Sequence, residues 1–140
     1  MTRSSLRQLV SPIAASFIMS GAAAAVAQPP REAFLQHTIE DLYQRLVLDG
    51  QSQSKAFEEM LERQGGARVT GVVGEISIGP SGDVFIWLRH SMHGELVGRF
   101  RVPAEESRPV RAASVGQRIE ITCIGVYRSY AQVSARWCTP

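Results

Sequence analysis

The chain predicts a mainly β protein, a small five-stranded barrel preceded by N-terminal helices. Three observations carry that prediction. Apolar residues recur every three or four positions up to about residue 63 and every second position after Gly66, the periods of a helix and of a half-buried strand. Five alternating segments follow the switch, with turn residues such as Pro80-Ser81-Gly82 between them. The longest connection joins the third segment to the fourth.

Residues 1–27 carry the three zones of a cleavable export signal. Arg3 and Arg7 open it, residues 9–26 are apolar and small, and Ala25-Val26-Ala27 supplies the small-x-small cleavage position. Ser11, Pro12, Ser16, Ser20 and Gly21 interrupt the apolar stretch, which suits a membrane span poorly, since a span needs about 20 strongly apolar residues. No Cys follows the cleavage site to take a lipid, and no later stretch is apolar enough to cross a bilayer. The expected location is periplasmic or secreted, with no transmembrane segment after cleavage.

Residues 28–66 read as a helical extension. Over residues 31–48, Phe34, Leu35, Ile39, Leu42, Tyr43, Leu46 and Val47 form one apolar stripe, ended by Asp49-Gly50. A shorter helix over residues 54–63 places Phe57, Met60 and Leu61 on one side, and Gln64-Gly65-Gly66 stops it.

Residues 67–140 read as the barrel. The first strand, 68–78, carries Gly71 and Gly74, which weaken a strand unless it must bend, as at a barrel corner. The second, 83–90, alternates Val84, Ile86 and Leu88 against Phe85, Trp87 and Arg89. The third, 95–102, sets Leu96, Gly98, Phe100 and Val102 against Val97, Arg99 and Arg101. After an irregular connection, 103–116, the last strands cover 118–127 and 130–138. Five strands, a bent glycine-bearing first strand and the long third connection describe an OB-fold barrel. A β-sandwich usually needs about seven strands, and closure removes the edges an open sheet would expose.

Val69-Thr70-Gly71-Val72-Val73, Val115-Gly116-Gln117-Arg118-Ile119 and Val133-Ser134-Ala135-Arg136-Trp137-Cys138 carry a family likeness. On them the barrel region resembles the OB-fold family labelled tRNA-anti-like, found in small exported bacterial proteins. The resemblance implies an OB-fold in an exported protein and does not imply RNA binding.

Charge narrows the function. The chain has 15 basic and 13 acidic residues, and loss of Arg3 and Arg7 leaves 13 against 13. Neutrality disfavours a general nucleic-acid binder, which gains affinity from excess Lys and Arg. Residues 28–83 hold nine acids and five bases, residues 84–140 four acids and eight bases. Pairing of the two halves explains this asymmetry as well as a basic ligand face does.

Phe85, Trp87, Arg89, Arg99 and Arg101 are the candidate ligand-binding residues, on the outer face of the second and third strands. OB-folds receive oligonucleotides and oligosaccharides there; aromatic rings stack and arginines grip carboxylate or phosphate. The alternative is that the first helix covers Phe85 and Trp87, because its apolar stripe must pack on something. In the next loop His90, Met92 and His93 are soft copper ligands, and Trp87, His90 and Met92 are spaced similarly to the motif of an OB-fold copper carrier. Two loop histidines are also explained by simple solvation.

Cys123 and Cys138 are an even pair in a small exported domain, so a disulfide is expected. A tight turn on Arg128-Ser129 would set Cys123 opposite Ser134, so the bond requires a wider loop or a shifted register. No nucleophile elbow, zinc-protease motif or spaced carboxylate dyad is present. Glu58-Glu59 and Glu105-Glu106 read as solvated pairs and His37 as a solvent-facing helical residue. The expectation is a non-catalytic, cofactor-free binding module for a protein partner or an anionic envelope ligand. A single-stranded nucleic-acid binder and a periplasmic copper-binding protein are the alternatives.

Overall fold

The computed structural model describes residues 34–140. The export signal expected over residues 1–27, and residues 31–33 of the first expected helix, lie outside the described residues. The described elements run β1 (Gln36–Thr38), α1 (Ile39–Tyr43), a π-helical turn (Gln44–Leu48), α2 (Gln51–Gln64), β2 (Ala67–Ile78), β3 (Val84–Arg89) and β4 (Leu96–Val102). A 3-10 turn (Ala104–Glu106), α3 (Arg108–Arg111), β5 (Arg118–Ser129) and β6 (Gln132–Thr139) complete them.

Five strands close a barrel in the order β2-β3-β4-β6-β5, with β5 returning to β2. The β4–β6 pairing is parallel and the others are antiparallel. The protein is therefore mainly β, with an OB-fold-like barrel and short helices before it. Valine-rich alternation fills the interior with Val69, Val73, Val84, Ile86, Leu88, Phe100, Val102, Ile121 and Val133, all at most 1% exposed.

The first expected helix is shorter than its apolar stripe. Gln36–Thr38 instead forms β1, parallel to the start of β2. The helix begins where Thr38 accepts a hydrogen bond from the Asp41 N–H at 3.1 Å, a side-chain cap of the kind Thr supplies well. His37, expected on a solvent-facing helix, lies in β1 with its side chain 12% exposed and its Nε2 buried without a hydrogen-bond partner among the described residues. The second helix begins earlier than expected, at Gln51, because buried Ser54 donates to the carbonyls of Arg45 and Asp49 and ties α2 to the preceding turn. Gly65, at φ 82°, caps its end.

The extension shares the barrel's core. Ile39, Leu42 and Leu46 are fully buried in one cluster with Leu88, Phe100 and Val133, and Phe57 and Leu61 of α2 join it. α1 touches β2, β4 and β6, strands from different parts of the barrel wall, so it closes one barrel end as a plug. A Cβ at Gly71 would lie 2.8 Å from Ile39 Cγ2, and one at Gly98 2.6 Å from Ile39 Cδ1. Both glycines admit the plug. The break in β2 pairing falls between Val73 and Glu75, which assigns the barrel corner to Gly74.

The last hairpin turns at Tyr130-Ala131, two residues beyond Arg128-Ser129. Its register sets Cys123 directly opposite Cys138, with Cα atoms 4.1 Å apart and a disulfide between them. Each residue by which a two-residue turn moves along the chain shifts the facing partner by two. The later turn therefore moves Cys123 from Ser134 to Cys138.

Candidate ligand-binding face

The face begins with alternation in β3 and the register of β4. Inward Val84, Ile86 and Leu88 leave Phe85 and Trp87 outward and half-buried. Pairing sets Arg101 beside Phe85 and Arg99 beside Trp87. The Arg99 guanidinium carbon lies 4.5 Å from the Phe85 ring centroid and 5.4 Å from that of Trp87. Each such contact contributes about 0.5–1 kcal/mol at an exposed site. The two rings, 6.3 Å apart, thus form a bed for one cation. α1 does not cover them, since it occupies the barrel end.

Arg101 is engaged within the fold. Its Nε donates to Asp83 Oδ2 at 2.6 Å, and Asp83 Oδ1 accepts from the Ala104 N–H at 3.1 Å. Asp83 is buried, and a buried carboxylate requires such partners. The Arg111 Nη2 donates to the Gly82 carbonyl at 2.7 Å and braces the same turn. Arg89 stands apart at the end of β3, half-buried, with its Nε buried and without a hydrogen-bond partner among the described residues. Of the expected residues, the structure brings Phe85, Trp87 and Arg99 into one unit, keeps Arg101 beside it in an ion pair, and separates Arg89.

The alternation expected in β4 fails at its start. Val97 is 1% exposed and Leu96 36% exposed, the reverse of the expectation. The β3–β4 register shifts between Leu88 and Arg89, where Arg89 pairs with Leu96 and Leu88 with Gly98. Val97 is the extra residue of this bulge, and a bulge exchanges inward and outward positions beyond it.

Beside Arg99 the β5–β6 turn forms a cleft of about 410 Å³ lined by Arg99, Ser129, Tyr130, Ala131, Gln132 and Ser134. Tyr130 is 94% exposed and has φ 55°, a left-handed conformation uncommon for a bulky residue. Arg128 Nε donates to its carbonyl at 2.7 Å. Ser134 donates to the Arg99 carbonyl at 3.3 Å, and Gln132 to that of Leu96 at 3.4 Å. Reading the sequence missed these residues because it assigned Tyr130 to a strand. The Cys123–Cys138 spacing was the available signal, since direct cross-strand pairing of the two places the turn on Tyr130-Ala131.

At the β3–β4 turn the His90 and His93 rings lie 4.6 Å apart. His90 Nδ1 accepts the Met92 N–H at 3.2 Å, and the Met92 side chain points to solvent, 82% exposed. Among the described residues no group of three or more His, Cys, Asp or Glu is arranged to hold a metal ion. Glu40 of α1 accepts the Ser91 N–H at 3.0 Å and ties this turn to the plug. Burial alone would raise the Glu40 carboxyl. Bonds from its own backbone and from Ser91, with the nearby His90 charge, outweigh burial and hold it below its usual value. Among the described residues no helix is long and apolar enough to cross a membrane. No family model matches the chain, and no curated protein matches it in sequence.

Proposed function

We propose that the chain is an exported, non-catalytic OB-fold binding module that takes an extended anionic ligand on the β3–β4 face and the adjoining β5–β6 turn. The observation that carries this reading is Arg99, which lies over Phe85 and Trp87 and lines the cleft beside Tyr130. Among the described residues it has no carboxylate partner. A guanidinium stacked through its face keeps its N–H edge for a carboxylate or phosphate, which it grips bidentately. Two supporting rings also lower the entropy lost when a ligand fixes the side chain. The ring, amide and hydroxyls beside it recognise and orient, and include no nucleophile–base pair.

The test is calorimetric titration of the exported chain with oligogalacturonate, a ten-residue polyglutamate and the oligonucleotide dT10 at low salt. At least one should bind, and Arg99→Ala should weaken that binding about tenfold or more, since a charge-assisted contact is worth about 1.5–3 kcal/mol. Arg63→Ala, on the exposed side of α2, should leave it unchanged. Absence of binding to all three, or equal affinity in the two variants, refutes the reading.

A further inference from the structure

We infer that the anion is an acidic oligosaccharide, with one sugar ring seated against Tyr130 and its carboxylate on Arg99. This rests on the binding face proposed above. The cleft combines three kinds of group that a uronic-acid ring would use together. Tyr130 offers an open ring for the C–H face of a sugar, and its polar end stays wet. Ser129, Gln132 and Ser134 offer hydroxyl and amide groups for the sugar hydroxyls. Arg99 offers the charged fork. Gln132 and Ser134 donate to strand carbonyls, which orients them and leaves their oxygens as acceptors.

Tyr130 is an unusual choice for its position. A residue in the left-handed region costs about 1–2 kcal/mol unless it is Gly or, in part, Asn or Asp. The turn would form more readily with one of those, and the exposed ring makes no aromatic contact among the described residues. A ring kept at such a position and left almost wholly in solvent is explained by a ligand.

The same geometry disfavours the other anions. Single-stranded nucleic acid stacks successive bases on several rings and follows a basic track. Here Arg99 lies over Phe85 and Trp87, and Tyr130, 94% exposed, is the most open ring beside it. Asp83 compensates Arg101, and Glu75 stands beside Trp87 in the β2–β3 register. An acidic peptide most readily joins a free sheet edge. Arg99 is paired on both sides, with Trp87 of β3 and Ser134 of β6, so recognition here passes through side chains.

The inference is tested by titrating the exported chain with a hyaluronan octasaccharide, oligogalacturonate, the neutral chitohexaose, dT10 and ten-residue polyglutamate. At least one acidic sugar should bind about tenfold or more tightly than the neutral one and than dT10 or polyglutamate. Arg99→Ala should reduce it to the neutral level. Tyr130→Asn, which tolerates the left-handed turn, should weaken acidic-sugar binding by about tenfold, and unchanged thermal unfolding would show that both variants fold. Failure of both acidic sugars to bind, tighter binding of dT10 or polyglutamate, or indifference to Tyr130→Asn overturns the inference. Arg99-dependent binding of dT10 or polyglutamate alone would overturn the sugar and leave the anionic face standing. Binding of no anion would remove both.

Discussion

Replacing Gly98 by Ala should destabilise the protein, and replacing Ile39 by Val should cost less in that variant than in the wild type. A methyl group at Gly98 would sit 2.6 Å from Ile39 Cδ1 and 2.8 and 3.2 Å from atoms of the Phe100 ring. Ile39 and Phe100 are fully buried, so neither can swing into solvent, and overpacking of this kind costs about 1–3 kcal/mol. Ile39→Val alone removes a buried methyl group and costs about 1 kcal/mol. If α1 plugs the barrel as described, the Ile39→Val change takes away the Cδ1 with which the methyl group of Gly98→Ala collides. The double variant should then be about 1 kcal/mol more stable than the sum of the single losses, beyond the roughly 0.3–0.5 kcal/mol error of additivity. The Phe100 contact remains in the double variant, which should therefore stay about as unstable as Gly98→Ala alone. The assay is urea unfolding of the four proteins followed by tryptophan fluorescence, with midpoints compared at constant slope. Additive losses within about 0.5 kcal/mol would mean that Ile39 and Gly98 do not meet, and the plug would be wrong.

Three further outcomes follow from the same contacts. Replacing Cys123 and Cys138 together by Ser should lower stability by about 3 kcal/mol in the chain-entropy view for their separation of 15 residues; an unchanged urea midpoint after reduction would contradict the bond. Asp83→Ala should cost about 1–3 kcal/mol, because it leaves the Ala104 N–H and Arg101 without their acceptor, and a loss no greater than that of Arg101→Ala would show that the Ala104 bond contributes nothing. Glu40 has a lowered pKa, so its contribution is complete above the ordinary glutamate range and disappears as pH falls through the depressed value. Wild type should exceed Glu40→Gln by no more than about 0.5 kcal/mol near pH 6, given its partial exposure, with the gap closing below about pH 4; a gap that widens on acidification would refute the tie to Ser91.

Much of the barrel was legible because alternation is local. Val84, Ile86 and Leu88 declare their shared face through spacing alone, and with it the outward placement of Phe85 and Trp87. The same rule failed at Leu96 and Val97, since a bulge reflects pairing with β3 and leaves no mark on the spacing within β4. The start of the first helix was misread for a related reason. Phe34, Leu35 and Ile39 have helical spacing, yet the backbone of Gln36–Thr38 pairs beside β2, a partner about 30 residues away in the chain.

By itself the sequence determined the class of fold, the five barrel strands, the cysteine pair as chemistry and the outward set Phe85, Trp87, Arg99 and Arg101. Each follows from residue type and short-range period. Tertiary structure alone decided what those residues do to one another. It laid Arg99 over both rings, bound Arg101 to Asp83, and carried the Tyr130 turn beside Arg99 through parallel pairing of β4 with β6. It also placed Ile39 against Gly71 and Gly98, residues that lie 32 and 59 positions further along the chain. Contacts between distant segments depend on register and closure, which no local pattern encodes.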